Sequence, residues 1–208
     1  MRTLRIALLA FAIATPAAWA AASYRIGTPA LVPGKAASNQ DSKKTGTKDL
    51  SCPTGYWMYA IDVDGGIWGT YPAIEKVSLR CGNKNGDHAS ARSFGKVATG
   101  LNLTISYGQG QCSGGTPALT GMNVNFDRYI KDVKVRCGGI VTSGSSVRVD
   151  DTGLQGSWLL NRVQNNDSQR SLKCQGNQVL SGLRISHRDD SNETAFTALQ
   201  LLCSSVTA

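Results

Sequence analysis

The stretch "ETAFTALQLLC", Glu193–Cys203, decides how the chain is read. Counted back from Cys203, the second, fourth and seventh positions are Leu201, Leu199 and Phe196. Such alternation marks a strand with one buried face. Two other segments close on a cysteine in the same way. "YPAIEKVSLRC" (71–81) offers Leu79, Val77 and Ile74, and "DRYIKDVKVRC" (127–137) offers Val135, Val133 and Ile130. In the middle copy the intervening Lys131, Lys134 and Arg136 are expected to face water.

Each closing segment has an opening partner: "CPTGYWMYAIDVD" (52–64), "CSGGTPALTGMNVN" (112–125) and "CQGNQVLSGLRIS" (174–186). Eight or nine residues after the cysteine comes a small residue, Ala60, Gly121 or Gly182. An alternating triplet follows: Ile61-Asp62-Val63, Met122-Asn123-Val124 or Leu183-Arg184-Ile185. The opening cysteines are 60 and 62 residues apart, so three units of about 23–81, 82–137 and 138–203 nearly fill the chain. Strand-like runs also precede the second and third opening cysteines, "SFGKVATGLNLTISYG" (93–108), "SSVRVDD" (145–151) and "GSWLLNRV" (156–163). The second half of 23–51, rich in Ser, Lys, Gly and Thr, reads as a loop. Four strands per unit give three four-stranded sheets around a shared core. Trp57 and Trp158, beside strand-like runs, are assigned to that core.

Six cysteines allow fifteen pairings. Threefold equivalence leaves two schemes, bonds within each unit or cyclic bonds between units. The within-unit scheme, Cys52–Cys81, Cys112–Cys137 and Cys174–Cys203, is the more local and is preferred. No Cys-x-x-Cys pair exists, which argues against zinc and thioredoxin-like chemistry.

The N-terminus reads as a secretory leader. Arg2 and Arg5 precede an apolar run too short to span a bilayer comfortably, Pro16 breaks that run, and Ala18-Trp19-Ala20 places small residues for cleavage after Ala20. Residues 1–20 are therefore assigned as signal peptide and 21–208 as one domain, secreted or periplasmic, with its cysteines oxidised. Charged residues are 17% of the 208-residue chain, Gly is abundant and Glu rare, which favours β structure. The formal charge of +8 falls to +6 without Arg2 and Arg5, and this mild basicity hints at an anionic partner. Three sequons, at Asn102, Asn166 and Asn192, matter only in a eukaryotic secretory route.

The repeat resembles the vitelline membrane outer layer protein family. The last unit carries the likeness best: Cys174, Gly176 and Gly182 at its opening, and Glu193-Thr194-Ala195-Phe196 leading through Leu199 and Leu201 to Cys203 at its close. The first two units depart, with Tyr71-Pro72-Ala73 and Asp127-Arg128-Tyr129 in place of the acidic-Thr-Ala signature. The family's tryptophan-glycine motif survives loosely as Gly156-Ser157-Trp158 and Phe94-Gly95. The resemblance implies an all-β, β-prism-like fold of three Greek-key four-stranded sheets with pseudo-threefold symmetry, and it implies the same within-unit disulfides. It also implies an extracellular setting and a lectin-like architecture.

Catalytic motifs are absent from the sequence: it has two histidines, no G-x-S-x-G elbow and no His-Glu-x-x-His. "DVDGG" carries Asp62 and Asp64 but lacks the other spaced ligands of a calcium loop, so no metal or cofactor is assigned. Glycan binding is the leading expectation, because sugar pockets combine aromatic walls with a few placed polar groups. Trp68 and Tyr71 in "DGGIWGTYP", with Asp64, and His187, Asp189, Asp190 and Asn192 in "SHRDDSNE" are the candidate residues. The expected partner is a glycan or anionic polysaccharide, or a surface protein, and not nucleic acid. Lys43, Lys44 and Lys48 read as a solvated segment able to touch an anionic polysaccharide. A structural or interaction scaffold and a glycan-processing enzyme are the alternatives.

Overall fold

The computed structural model describes residues 23–97 and 106–208. The expected leader, the Asn102 sequon and the middle of the run 93–108 lie outside the described residues. The first unit's two long strands are β5 (Trp57–Trp68) and β6 (Tyr71–Gly82). Before them run β1 (Arg25–Ile26), β2 (Ala30–Leu31), β3 (Ala36–Ala37) and β4 (Gly46–Ser51); after them come β7 (His88–Gly95) and β8 (Ser106–Gln111). Then follow the second unit's hairpin, β9 (Pro117–Phe126) and β10 (Ile130–Ser143), then β11 (Ser146–Leu154) and β12 (Ser168–Lys173), and last the third unit's hairpin, β13 (Gln178–Asp189) and β14 (Thr194–Thr207).

These strands form three antiparallel sheets. Sheet one runs β7-β6-β5-β8 and sheet two β11-β10-β9-β12, the order of a Greek key. Sheet three runs β4-β13-β14, with β1, β2 and β3 pairing in turn along the far side of β14. The chain thus closes on itself, and segments near its N-terminus complete the sheet made by its C-terminal hairpin. The sheets are offset from the sequence repeat: the strand before each opening cysteine pairs with the preceding unit's hairpin. The loop expected in the second half of 23–51 is corrected here, because it contains a short 3₁₀ turn (Asp41–Lys43) and then β4. Gly46–Ser51 alternates only weakly in hydropathy, since a sheet-edge strand with one water-facing side buries little beyond Leu50.

The apolar positions read from the sequence form one core. Leu79, Val77 and Ile74, with their equivalents in the other two closing strands, are all at most 2% exposed. Their spacing (second, fourth, seventh) breaks the period of two, and a bulge explains it. The pairing skips Glu75, Lys131 and Thr197, one residue per sheet at the sixth position before the cysteine. The extra residue shifts the phase, so the seventh position points inward again. A second bulge skips Tyr59, Thr120 and Ser181, just before Ala60, Gly121 and Gly182. The three disulfides are Cys52–Cys81, Cys112–Cys137 and Cys174–Cys203, each joining the opening of a unit to its close.

Two expectations about single residues are corrected. Lys131 does not face water: as a bulge residue it is turned inward, 4% exposed, and pairs with Asp167. Trp158 is half-buried rather than core, because "GSWLLNRV" is a connector without strand structure between β11 and β12. That connector packs inward through Leu160 instead. Trp57 is core, as expected.

Symmetry is broken where the pseudo-threefold axis leaves the molecule. Eight residues before the closing cysteines stand Ala73, Tyr129 and Ala195, which cluster at the hairpin-tip end. Early in the opening strands stand Trp57, Ala118 and Val179, which cluster at the other end. Three large side chains cannot share an axis at interior packing density. Each end is therefore plugged by one large aromatic from one unit, with small residues from the others making room.

Candidate functional site

The hairpin-tip end holds most of the residues proposed from sequence. What reads as a variable loop in "DGGIWGTYP" is a continuation of β5 and β6, which pair as far as Trp68 and Tyr71. They are joined by a two-residue turn with Gly69 at φ 61°. Gly at the first central position with positive φ suits a tight hairpin. Trp68 lies 6.2 Å from the plug Tyr129, ring centre to ring centre. The Arg188 guanidinium sits 6.0 Å from the Trp68 ring, and the Arg128 guanidinium 4.2 Å from the Tyr71 ring. Arg188 also donates to the Tyr129 hydroxyl at 3.2 Å. The structure therefore brings Trp68 and Tyr71 together as half-buried parts of the end cap.

The remaining proposed residues are dispersed. His187 is 8% exposed, packs edge-on against Phe94 at 4.7 Å, and its Nε2 lies 3.2 Å from Asp189 Oδ2. Asp189 accepts from the Thr194 hydroxyl at 2.7 Å. Asp190 Oδ1 accepts from the Asn192 and Glu193 amides at 2.8 and 2.9 Å, so it organises an exposed turn. Asp64 sits 3.5 Å from Lys76, and Asp62 pairs with Arg80 at 2.7 Å. Among the described residues no cluster of three His, Cys, Asp or Glu is arranged to hold a metal ion. Nor, among them, is any helix long and apolar enough to cross a membrane.

Beneath the hairpin tips the three bulge residues meet partners from connectors. Lys131 pairs with Asp167 and donates to Gln164 at 3.3 Å. Thr197 donates to Asp41 at 3.5 Å. Arg162, whose pKa burial pulls down, feels the nearby charges of Glu75 and Asp132, and it donates to the carbonyls of Gly66 and Gly65 at 2.7 and 3.2 Å. Burial raises the pKa of Asp132, against the backbone amides of Arg162, Leu160 and Val133 that favour its ionised form. These groups fasten connectors to sheets.

Three surface recesses among the described residues lie at the opposite end. A cleft of about 190 Å³ is lined by Trp57, Tyr59, Asn83, Lys84, His88 and Gln111, among others. Tyr59 is the bulge residue of sheet one; its counterparts Thr120 and Ser181 are short and buried. A bulge re-aims a side chain, and here the largest of the three equivalents reaches the surface. Its ring meets His88 at 5.0 Å. It lies over Gly82, where a Cβ would come within 3.3 Å of it. Trp57 forms the floor, its indole N–H donating to the Pro117 carbonyl at 2.8 Å. From Gln111 the outward face of edge strand β8 continues through Gln109 to Tyr107, a row about 14 Å long at the usual rise per residue. Tyr107 is 59% exposed and donates to Asp62 at 2.9 Å.

Sequence reasoning missed this cleft. The segment around Tyr59 reads as strand, and the candidate residues fall in the loops instead. The available signal was the aromatic at a position where the other two units place Thr and Ser, directly before the small residue. No protein-family model matches the chain, and no characterised protein matches it in sequence. The structure by itself establishes a disulfide-stapled, all-β, prism-like scaffold.

Proposed function

We propose that the protein is a secreted or periplasmic, non-catalytic carbohydrate-binding protein of the cell envelope or extracellular space. The observation that carries this reading is the Tyr59 cleft. An aromatic ring, an imidazole, an amide and an ammonium converge on one recess and continue into the Gln109–Tyr107 row. Sugars stack their C–H faces on rings and satisfy their hydroxyls with planar amides. The resemblance to the vitelline membrane outer layer family supports the same extracellular, lectin-like reading. Asp64, Trp68, Tyr71, His187, Asp189, Asp190 and Asn192 form the competing location at and near the hairpin-tip end.

The test is a glycan array probed with the mature, oxidised chain, followed by titration of any hit against Tyr59→Ala and Trp68→Ala. Binding lost with Tyr59→Ala and kept with Trp68→Ala supports the cleft; the opposite pattern moves the site to the hairpin tips. A well-folded protein that binds no glycan sinks the reading in favour of a structural or protein-interaction scaffold.

A further inference from the structure

The Tyr59 cleft has two neighbours. A recess of about 380 Å³ is lined by Tyr24, Arg25, Tyr56 and Asn85 among others, and one of about 310 Å³ by Ser23, Tyr24, Asn85 and Thr142 among others. Lys84 borders all three recesses. It stands exposed on the β6–β7 turn, which Asn83 makes rigid. Asn83 Oδ1 accepts from the Asn85 and Asp87 amides at 2.9 and 3.0 Å, and the Asn83 amide nitrogen Nδ2 donates to Asp87 Oδ2 at 3.0 Å. Lys84 and Asn85 are thereby presented by a fixed frame.

Charge around these recesses is one-sided. Their linings include Lys84 and Arg25 as cations and no aspartate or glutamate. Asp87, close to Lys84 in sequence, is tied into the turn by Asn83. Several basic residues elsewhere do sit against a carboxylate, as in Arg80–Asp62, Arg136–Asp151, Arg148–Asp150 and Arg184–Asp49. A lysine and an arginine left without a lining carboxylate, beside rings and amides, form a site that attracts a negative group while stacking a sugar.

We infer that the three recesses around Lys84 form one site for an acidic saccharide, with Tyr59 stacking a ring and Lys84 and Arg25 meeting its anionic groups. This rests on the carbohydrate-binding reading and narrows it to a ligand class. Carboxylate and sulfate present the same charge to these groups, so the probes separate them.

The experiment is calorimetric titration of the mature chain with an oligogalacturonate, a sulfated oligosaccharide of the same length and a neutral chito-oligosaccharide, at low and high salt. At least one anionic probe should bind, more weakly as salt rises. Lys84→Gln and Arg25→Gln should each weaken it about three- to tenfold, and Tyr59→Ala should lower binding at both salt concentrations. Preference for the uronate or for the sulfated probe identifies the anionic group. Equal binding of the neutral probe with no effect of Lys84→Gln overturns the inference and leaves the lectin reading intact. Anionic binding lost only in Arg128→Gln or Arg188→Gln also overturns it, by moving the site to the hairpin tips. No binding of any probe by folded protein removes both.

Discussion

Gly182→Ala tests the packing rule behind the small residue in each unit. Gly182 pairs with Ser51 of β4 on one side and Leu202 on the other. A Cβ built on it would lie 2.5 Å from the Leu50 carbonyl oxygen and 2.8 Å from the Ser51 Cα. Both contacts are backbone, so no rotamer change relieves them, and β4 must back away by about half an ångström merely to reach the limit of tolerated approach. Overpacking of this kind costs about 1–3 kcal/mol. Gly→Ala at a position free of backbone strain regains about 0.4–1 kcal/mol by restricting the unfolded chain. The net loss is about 1–2 kcal/mol, and for a domain of this size each kcal/mol lowers Tm by about 2–4 °C. Thermal unfolding of the oxidised protein should therefore show a drop of about 3–6 °C. Amide exchange should accelerate first at Leu50 and Ser51. The first unit supplies the control, because Ala60 occupies the same place opposite Gln111. Ala60→Gly should cost only about 0.5–1 kcal/mol. A Gly182→Ala protein as stable as the parent, with unchanged exchange in β4, would refute the close-crossing explanation.

Three further outcomes are expected. Removing Cys52 and Cys81 together releases a loop with a sequence separation of 29 and should cost about 3–4 kcal/mol in denaturant titration; a loss below about 1 kcal/mol would reject the chain-entropy account. Lys131→Met and Asp167→Leu each break an ion pair whose side chains are 5% and 3% exposed. Each should cost about 3–5 kcal/mol, while the double change to apolar residues should recover much of it, a pattern that a double-mutant cycle reads directly. Burial pushes the Asp151 carboxyl up, but Lys173, the Gly153 amide and Arg136 outweigh it and hold its pKa below the ordinary value. Its contribution is thus present above the unfolded pKa of about 3.9 and is lost as pH falls through the folded one. The Tm gap between the parent and Asp151→Asn should narrow below about pH 4, and a gap that widens in acid would contradict the assignment.

What was legible in the sequence follows from where its signal is strong. Leu201, Leu199 and Phe196 declare a buried face because long central strands touch the core along their length. The cysteines narrow to two pairing schemes because each unit repeats them, and the more local, within-unit scheme is the one formed. β4 was invisible, since an edge strand needs only Leu50 inside. Lys131 was misplaced because a bulge inverts the side a residue faces, and a bulge leaves only a gap of three in an alternating pattern. Trp68 and Tyr71 pair across one hairpin, a neighbourhood that a short stretch of sequence already contains. The cleft and its two neighbouring recesses depend on Tyr59, Lys84 and Tyr24, which no local window of sequence contains together.

The chain's closure on itself bears on how the molecule is made. Sheets one and two join strands that leave the ribosome close together, and their disulfides span 29 and 25 residues. Sheet three joins Gly46–Ser51 to Gln178–Asp189. At about 5–20 residues per second, β4 waits on the order of ten seconds for its partner. Until then β1 to β4 have no mates, and afterwards β13 and β14 do not distinguish their own N-terminal segment from that of a second copy. Strand exchange between two chains would build the same six-stranded sheet with the same contacts. At high concentration a dimer that trades its N-terminal arms is the expected misassembly, and slow release at low concentration the expected cure.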